Sequence, residues 1–275
     1  MNQSMISAAV TMGQLQHKLD TISNNMANST TNGYKRREAQ FSDLLFQQIE
    51  SAALEPTEDG RLTPNGIRLG SGARISSTAI SIEAGTLQQT GRLLDVALTQ
   101  PGHYFQIQSV GNNGGENVQY TRNGAFYLSP SEGNPNVMEL VTSEGNRVMG
   151  KNGPVTIPSD HSKITIGQNG QVSVTLNNGE VVESGQLALV NIVRPQLMLS
   201  IGGNLQAPEG IPLNQVLEEV NAGTGSFVQQ GALESSNVNI SNEMTELIQT
   251  QRSYQFNARS LTIADQMMGL VNGLR

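Results

Sequence analysis

The sequence predicts an α+β protein in which N- and C-terminal helices form a coiled-coil-like domain and a central, mostly antiparallel β domain is inserted between them. Three observations carry this. Both ends repeat apolar residues at steps of three and four, the middle alternates apolar and polar residues with period two, and Asn-Gly pairs punctuate that alternation. The expected divisions are residues 1–35 for the first helix and its turn, pairing with 236–275, a connector over 36–75, and the β domain over 76–235.

At the N-terminus Met5, Ala8, Met12, Leu15, Leu19, Ile22 and Met26 follow one another at steps of 3, 4, 3, 4, 3 and 4, a heptad seam that predicts a helix over residues 4–28. The helix runs into NNMANSTTNG, where Asn24, Asn25, Asn28 and Asn32 crowd its exit. Gly33 after Asn32 suits a left-handed C-cap that turns the chain away. In the connector, Phe41, Leu44, Leu45 and Ile49 are spaced as one apolar face of a short helix. Residues 50–75 then carry Pro and Gly without a clear period.

The strands follow. HYFQIQSV (103–110), VQYT (118–121), AFYLS (125–129), KITIGQNGQVSVTLNNGEVV (163–182) and QLALVNIV (186–193) all read as extended. Asn-Gly at 123–124, 169–170 and 178–179 predicts tight hairpins of type I′, which need positive φ at both central residues.

At the C-terminus Met244, Leu247, Tyr254, Ala258, Leu261 and Met268 form a second seam, interrupted by Gln251 and Asp265, over a helix expected at 242–270. A further stripe runs through Phe256, Ile263, Met267, Leu270 and Leu274. Two apolar stripes on one helix mean more than one neighbour.

Composition narrows the function. Only 14% of residues are charged and the net charge is −7, which argues against nucleic acid or an anionic membrane as partner. Gly, Asn, Ser, Thr and Gln fill the polar positions instead, a surface that makes hydrogen bonds rather than ion pairs. Cysteine is absent, so disulfides and thiolate metal sites are excluded. The opening MNQSMISAAV has no basic segment followed by an apolar one, and no window approaches a membrane span, so location in the cytoplasm is expected unless another export route is used.

Chemistry is sparse. His17, His103 and His161 stand without a second ligand at metal spacing, Gly70-Ser71-Gly72 lacks the rest of a phosphate loop, and Glu218-Glu219 reads as a solvated face. No catalytic, cofactor-binding or metal-ligating residue is assigned, no small-molecule substrate is implied, and the chain is not read as an enzyme.

SNNMANSTTNGYKR (23–36) closely resembles the N-terminal signature of bacterial flagellar rod and hook proteins. The resemblance recurs in the family's order at GTLQQTGRLLDVAL (85–98), YTRNGAFYL (120–128), LVTSEGNRVMGKNGPVTIP (140–158) and QGALESSNVNISNEMTELIQTQRSYQFNARSLTIADQMM (230–268). Length and pattern look most like a distal rod protein of the Bacillus hook-basal body type. Two positions depart from the family's habit: Thr11 precedes Met12 where Gly is usual, and the Gly-Phe-Phe strand start is here Gly102-His103-Tyr104-Phe105.

The resemblance implies a structural subunit of the flagellar basal-body rod that polymerises helically with copies of itself, meets other rod proteins and the hook protein, and carries torque from motor to hook. It also implies passage through the flagellar type III export apparatus without a cleaved Sec signal. The implied assembly interface comprises Met5, Met12, Leu15, Leu19, Ile22, Asn24, Asn25, Met26 and Asn28 on the first helix, and Leu247, Tyr254, Ala258, Leu261 and Met268 on the last. Two other readings are open to the residues alone: an exported carbohydrate- or cell-wall-binding β domain, disfavoured by 4% aromatics and no Trp, and a peptidoglycan hydrolase, disfavoured by the lack of an acidic pair in a cleft setting.

Overall fold

The computed structural model describes residues 2–43, 47–49, 67–69, 73–110, 116–131, 133–208, 210–220 and 225–273. They divide into two compact units. A helical unit comprises Met1–Met26, Arg37–Ala79 and Ile240–Arg275, and a β unit comprises Ala27–Arg36 and Ile80–Asn239.

In the helical unit, helix α1 spans Asn2–Ala27 and helix α2 spans Ile240–Gly273. The α+β class and both terminal helices are as expected: α1 begins two residues before its predicted start and stops one short of its predicted end, and α2 exceeds its predicted span by two residues at the start and three at the end. The segment 41–49 is not the short helix its spacing predicted. Its described residues, 41–43 and 47–49, lie in strands Arg37–Asp43 and Gln47–Ile49, which pair with Ala73–Ile80 and Ile67–Leu69. Nine residues cannot sustain a helix on local hydrogen bonds, whereas a ladder to a distant strand supplies partners for the backbone. Phe41, meant for an apolar helix face, is exposed. Leu44, Leu45 and the Pro- and Gly-marked run at 50–66 lie outside the described residues.

In the β unit every pairing among the described residues is antiparallel, and strand His103–Val110 is its axis. It bonds to Glu116–Thr121, to Arg147–Gly150 and to Leu189–Ile192. Side chains alternate across a strand, so its two faces feed two cores. Phe105 and Ile107 enter the larger core with Val96, Leu98, Phe126 and Leu140, where the Phe105 and Phe126 rings meet edge to face at 5.1 Å. Tyr104 enters the smaller one with Tyr120, Val190 and Ile192.

The strands Phe126–Pro130, His161–Ile166, Gln171–Leu176, Val181–Gln186 and Leu189–Ile192 stand where alternation predicts them. Their turns differ from the prediction. Among the described residues no residue other than Gly has positive φ, so none of the Asn-Gly turns is type I′. At 167–171 the Gly170 N–H donates to the Gly167 carbonyl and the Gly167 N–H to the Gln171 carbonyl, and the loop over 176–180 repeats the pattern. These are three-residue loops in which Gly alone is left-handed, at φ 79° for Gly170 and 88° for Gly179. Asn169 and Asn178 instead accept hydrogen bonds from the N–H two residues on. Asn123-Gly124 closes no hairpin: a Cβ on Gly124 would lie 1.7 Å from the Val96 carbonyl oxygen, so this glycine admits a neighbouring backbone.

Candidate assembly interface

The seam of α1 lies on one face. Met5, Met12, Leu15, Leu19 and Met26 are half-buried and Ile22 is fully buried, while Gly13, Gln16, Asp20 and Asn24 on the far side are exposed. Polar contacts fix how that face sits within its unit. The Gln14 Oε1 accepts the Ile75 N–H at 2.8 Å, and the Lys18 ammonium stands 5.8 Å over the Phe41 ring and 3.5 Å from the Glu246 carboxylate.

Asn25 is the hub. Its side chain is 1% exposed, its Nδ2 donates to the Arg37 carbonyl at 2.8 Å and to Glu243 Oε2 at 3.1 Å, and its Oδ1 accepts from the Arg37 N–H at 3.0 Å. One amide therefore ties the end of α1 to the first strand and to the start of α2. Glu243 is itself only 1% exposed. It tolerates burial because it lies in the first turn of α2, where the helix dipole favours an anion, and because Asn25 donates to it. The pairs 18 with 246 and 25 with 243 show that α1 and α2 run antiparallel where they meet.

On α2, Leu247, Tyr254, Ala258 and Leu261 are half-buried on the face that also carries buried Glu243 and Thr250. Thr250 satisfies its hydroxyl by donating to the Glu246 carbonyl one turn back. Met244 and Met268 belong to the predicted seam but turn outward, with the stripe of Ile248, Phe256, Ile263, Met267 and Leu270. Phe256 is 72% and Leu270 71% exposed, so this face is apolar and uncovered.

The asparagines divide. Asn25 bonds within its own chain, Asn28 accepts from Thr31 in the turn after α1, and Asn24 is exposed. Gly33 is left-handed as expected, at φ 71°, but it stands six residues past the end of α1 and does not cap it. Its N–H donates to the Glu234 carbonyl at 2.8 Å, and a Cβ there would lie 2.6 Å from the Arg122 backbone.

Sequence reasoning missed Glu243 and Thr250, because polar residues at heptad positions read as breaks in the seam. It also missed a buried ion cluster in the β unit. Lys35, Arg122 and Glu234 lie inside the quoted stretches GYKR, YTRNG and QGALE, yet 112 and 199 residues separate the cations from the acid. Burial, and next the Arg122 cation, hold the Lys35 pKa below the usual lysine value, against the opposing pull of Glu234. His103 beside them is buried, with its Nδ1 unpartnered. Burial first, and also Arg122, lower its pKa, while the Gln100 and Pro101 carbonyls oppose them.

Comparison with known proteins places these features. Three family models match, described as flagella basal body rod protein over residues 5–35, flagellar hook protein FlgE/F/G D1 domain over 100–174, and flagellar basal body rod FlgEFG protein C-terminal over 229–274. The first covers the α1 seam and its turn, and the last covers Glu234 and α2. The chain is 42% identical to the flagellar hook-basal body complex protein FlhP of Bacillus subtilis, over 280 residues and the full length of both chains. It is 33% identical to the flagellar basal-body rod protein FlgG of Borreliella burgdorferi, covering 100% of this chain and 99% of that one, and 33% identical to FlgG of Bacillus subtilis, covering 98% and 97%. With similarity running end to end, and with both terminal helices and the β unit inside it, the chain belongs to the flagellar basal-body rod and hook-basal body protein family.

Proposed function

We propose that the chain is a structural subunit of the flagellar basal-body rod, in its distal part, whose copies polymerise helically through α1 and α2 to carry torque from motor to hook. The observation that carries this reading is the uncovered apolar stripe of α2, from Ile248 through Phe256 and Ile263 to Leu270, on the same helix as a half-buried heptad face. A helix that covers one face within its own chain and leaves the other apolar is built for a second neighbour. Copies of the chain occupy that stripe, and other rod proteins and the hook protein adjoin the ends of the stack. Export proceeds through the flagellar type III apparatus. No catalytic step is assigned to the chain.

The test is Leu19→Asp and, separately, Leu261→Asp. Each puts a carboxylate into a half-buried apolar seam, where it is costly without a partner. Both variants should be secreted into the medium and keep a folded β unit, yet form no rods, and cells carrying them should not swim. Normal swimming in either would remove that residue from the assembly interface.

A further inference from the structure

Residues 225–235 run through the β unit between the segments 85–99 and 164–168. Val228–Gln230 pairs with Val96–Leu98, and Ala232–Glu234 with Leu87–Gln89. Val228 and Ala232 are fully buried. The Gln230 side chain stitches its strand to two others at once, its Nε2 donating to the Leu93 and Ile164 carbonyls at 2.7 and 3.0 Å and its Oε1 accepting from the Ile166 N–H at 3.1 Å. Further along, the Gly231 N–H donates to the Asp95 carbonyl and the Ser235 N–H to the Thr86 carbonyl.

The end of this strand carries the cluster's acid. Glu234 Oε1 accepts from the Lys35 ammonium and from the Gly85 N–H, each at 2.7 Å, and Oε2 accepts from Arg122 Nε. The cations are held from behind as well. Lys35 also donates to the Glu83 carbonyl at 2.6 Å, and Arg122 to the His103 and Gln100 carbonyls at 3.0 Å. Both cation side chains are nearly inaccessible to solvent, at 6% and 1%. Glu234 is the carboxylate that bridges the two.

We propose that residues 228–235 are a closing latch, with Glu234 as its bolt: the β unit holds its fold only once this last strand, five residues before α2, has joined it. Remove the strand and two buried cations lose their counter-charge, Val96 and Leu98 lose their cover, and a row of buried backbone groups loses its partners. Each of these is a severe loss, and together they exceed the net stability of a domain of this size. The β unit thus stays open until the chain end that bears α2 is present. The latch concerns how one chain closes and does not depend on the rod reading, so it is tested on unassembled protein.

Hydrogen exchange on the dilute full-length chain decides it. In Glu234→Gln, amides of 96–98, 103–110, 164–166 and 228–234 should all exchange faster by about a hundredfold or more, and by the same factor, because one opening event exposes them all. Glu219→Gln, an exposed acid, should leave them unchanged. Strand 103–110 keeping its protection while 228–234 loses it would overturn the proposal, since the segment would then be a detachable strap. Lys35→Met with Glu234→Gln covers the case in which the single variant does not fold. The double variant restores the cluster's native net charge and should recover about tenfold or more of the protection, or folding itself. No recovery would show that the Glu234 charge is not what closes the unit.

Discussion

Asn25→Asp tests the hub of the helical unit with a change of one atom. In the native chain the Asn25 Nδ2 lies 3.1 Å from Glu243 Oε2, and the substitution turns that donor into a second carboxylate oxygen. Two unit charges at that distance repel by about 5 kcal/mol at an effective dielectric constant of about 20, so the pair takes up a proton when folded. Holding that proton at pH 7.5, where the unfolded carboxyl with a pKa near 4 has lost it, costs about 1.4 kcal/mol per pH unit, or roughly 5 kcal/mol. The folded state binds more protons than the unfolded one across this window, so stability rises as pH falls. Between pH 7.5 and 5 the variant should regain about 3.5 kcal/mol. Asn25→Ala is the control. It loses the three hydrogen bonds, roughly 1 kcal/mol for each to Arg37 and about 2 for the one to Glu243, and creates no such pH dependence. Urea titrations followed at 222 nm, where α1 and α2 dominate, read both. An Asn25→Asp variant within about 1 kcal/mol of wild type at pH 7.5, or one whose stability follows the wild-type pH profile, would refute the hub.

Two further outcomes concern the β unit. Gly33→Ala forces a left-handed side chain against the Arg122 backbone and should cost about 2 to 4 kcal/mol, whereas Gly91→Ala, at the same φ of 71° with open space around it, should cost only about 1; equal urea midpoints would deny that close approach sets the difference. Acidifying from pH 7 to 5.5 should destabilise the β unit in part through His103, because its lowered pKa lets the unfolded chain take up the proton first. His103→Phe, beside the Phe227 ring at 5.4 Å, should flatten that slope, and an unchanged slope by differential scanning calorimetry would place the titration elsewhere.

What the sequence makes legible here is whatever repeats locally. The α1 seam is an unbroken heptad, and the strands around Phe105 and Val172 alternate cleanly, so α1 and the strands at 103–110, 116–121, 126–130 and 161–192 could be read directly, while those at 87–98, 137–158, 199–219 and 228–234 were not. Features that depend on a distant partner could not. Whether 37–43 is strand or helix is decided by 73–80, and that pairing has no signature in either segment alone. Asn-Gly marks the two hairpins, but whether the loop closes around two residues or three depends on the register of the flanking strands. The ion cluster was invisible because each member sits in a motif that reads locally as a turn or a strand end. Within α2, Glu243 and Thr250 hold heptad positions on the covered face, so counting apolar residues alone pushed the seam outward to Met244 and Met268. A polar residue at a seam position is then a clue to a specific bond rather than a flaw in the repeat.

The same contrast explains why the two units suit different tasks. In the β unit, buried charges meet partners and most large apolar side chains are covered, so its fold is complete in one chain. In the helical unit the covered face of α2 is only half-buried while Phe256, Ile263 and Leu270 stand in water. Fixing the backbone of 34 residues costs roughly 1 to 2 kcal/mol each before helix hydrogen bonds and packing offset it. One half-buried face is a thin return on that cost. Covering the outer stripe with a second copy would add about 1.5 to 3 kcal/mol for each of those three side chains, a gain available only in an assembly. On the proposed assembly, the helix that the single chain leaves least secured is therefore the one whose order would rise most. Beside that stripe stand Asn, Gln, Ser and Thr together with the exposed charges Arg252, Arg259 and Asp265, so a neighbour that closes over it must bring partners for those three or leave them in water.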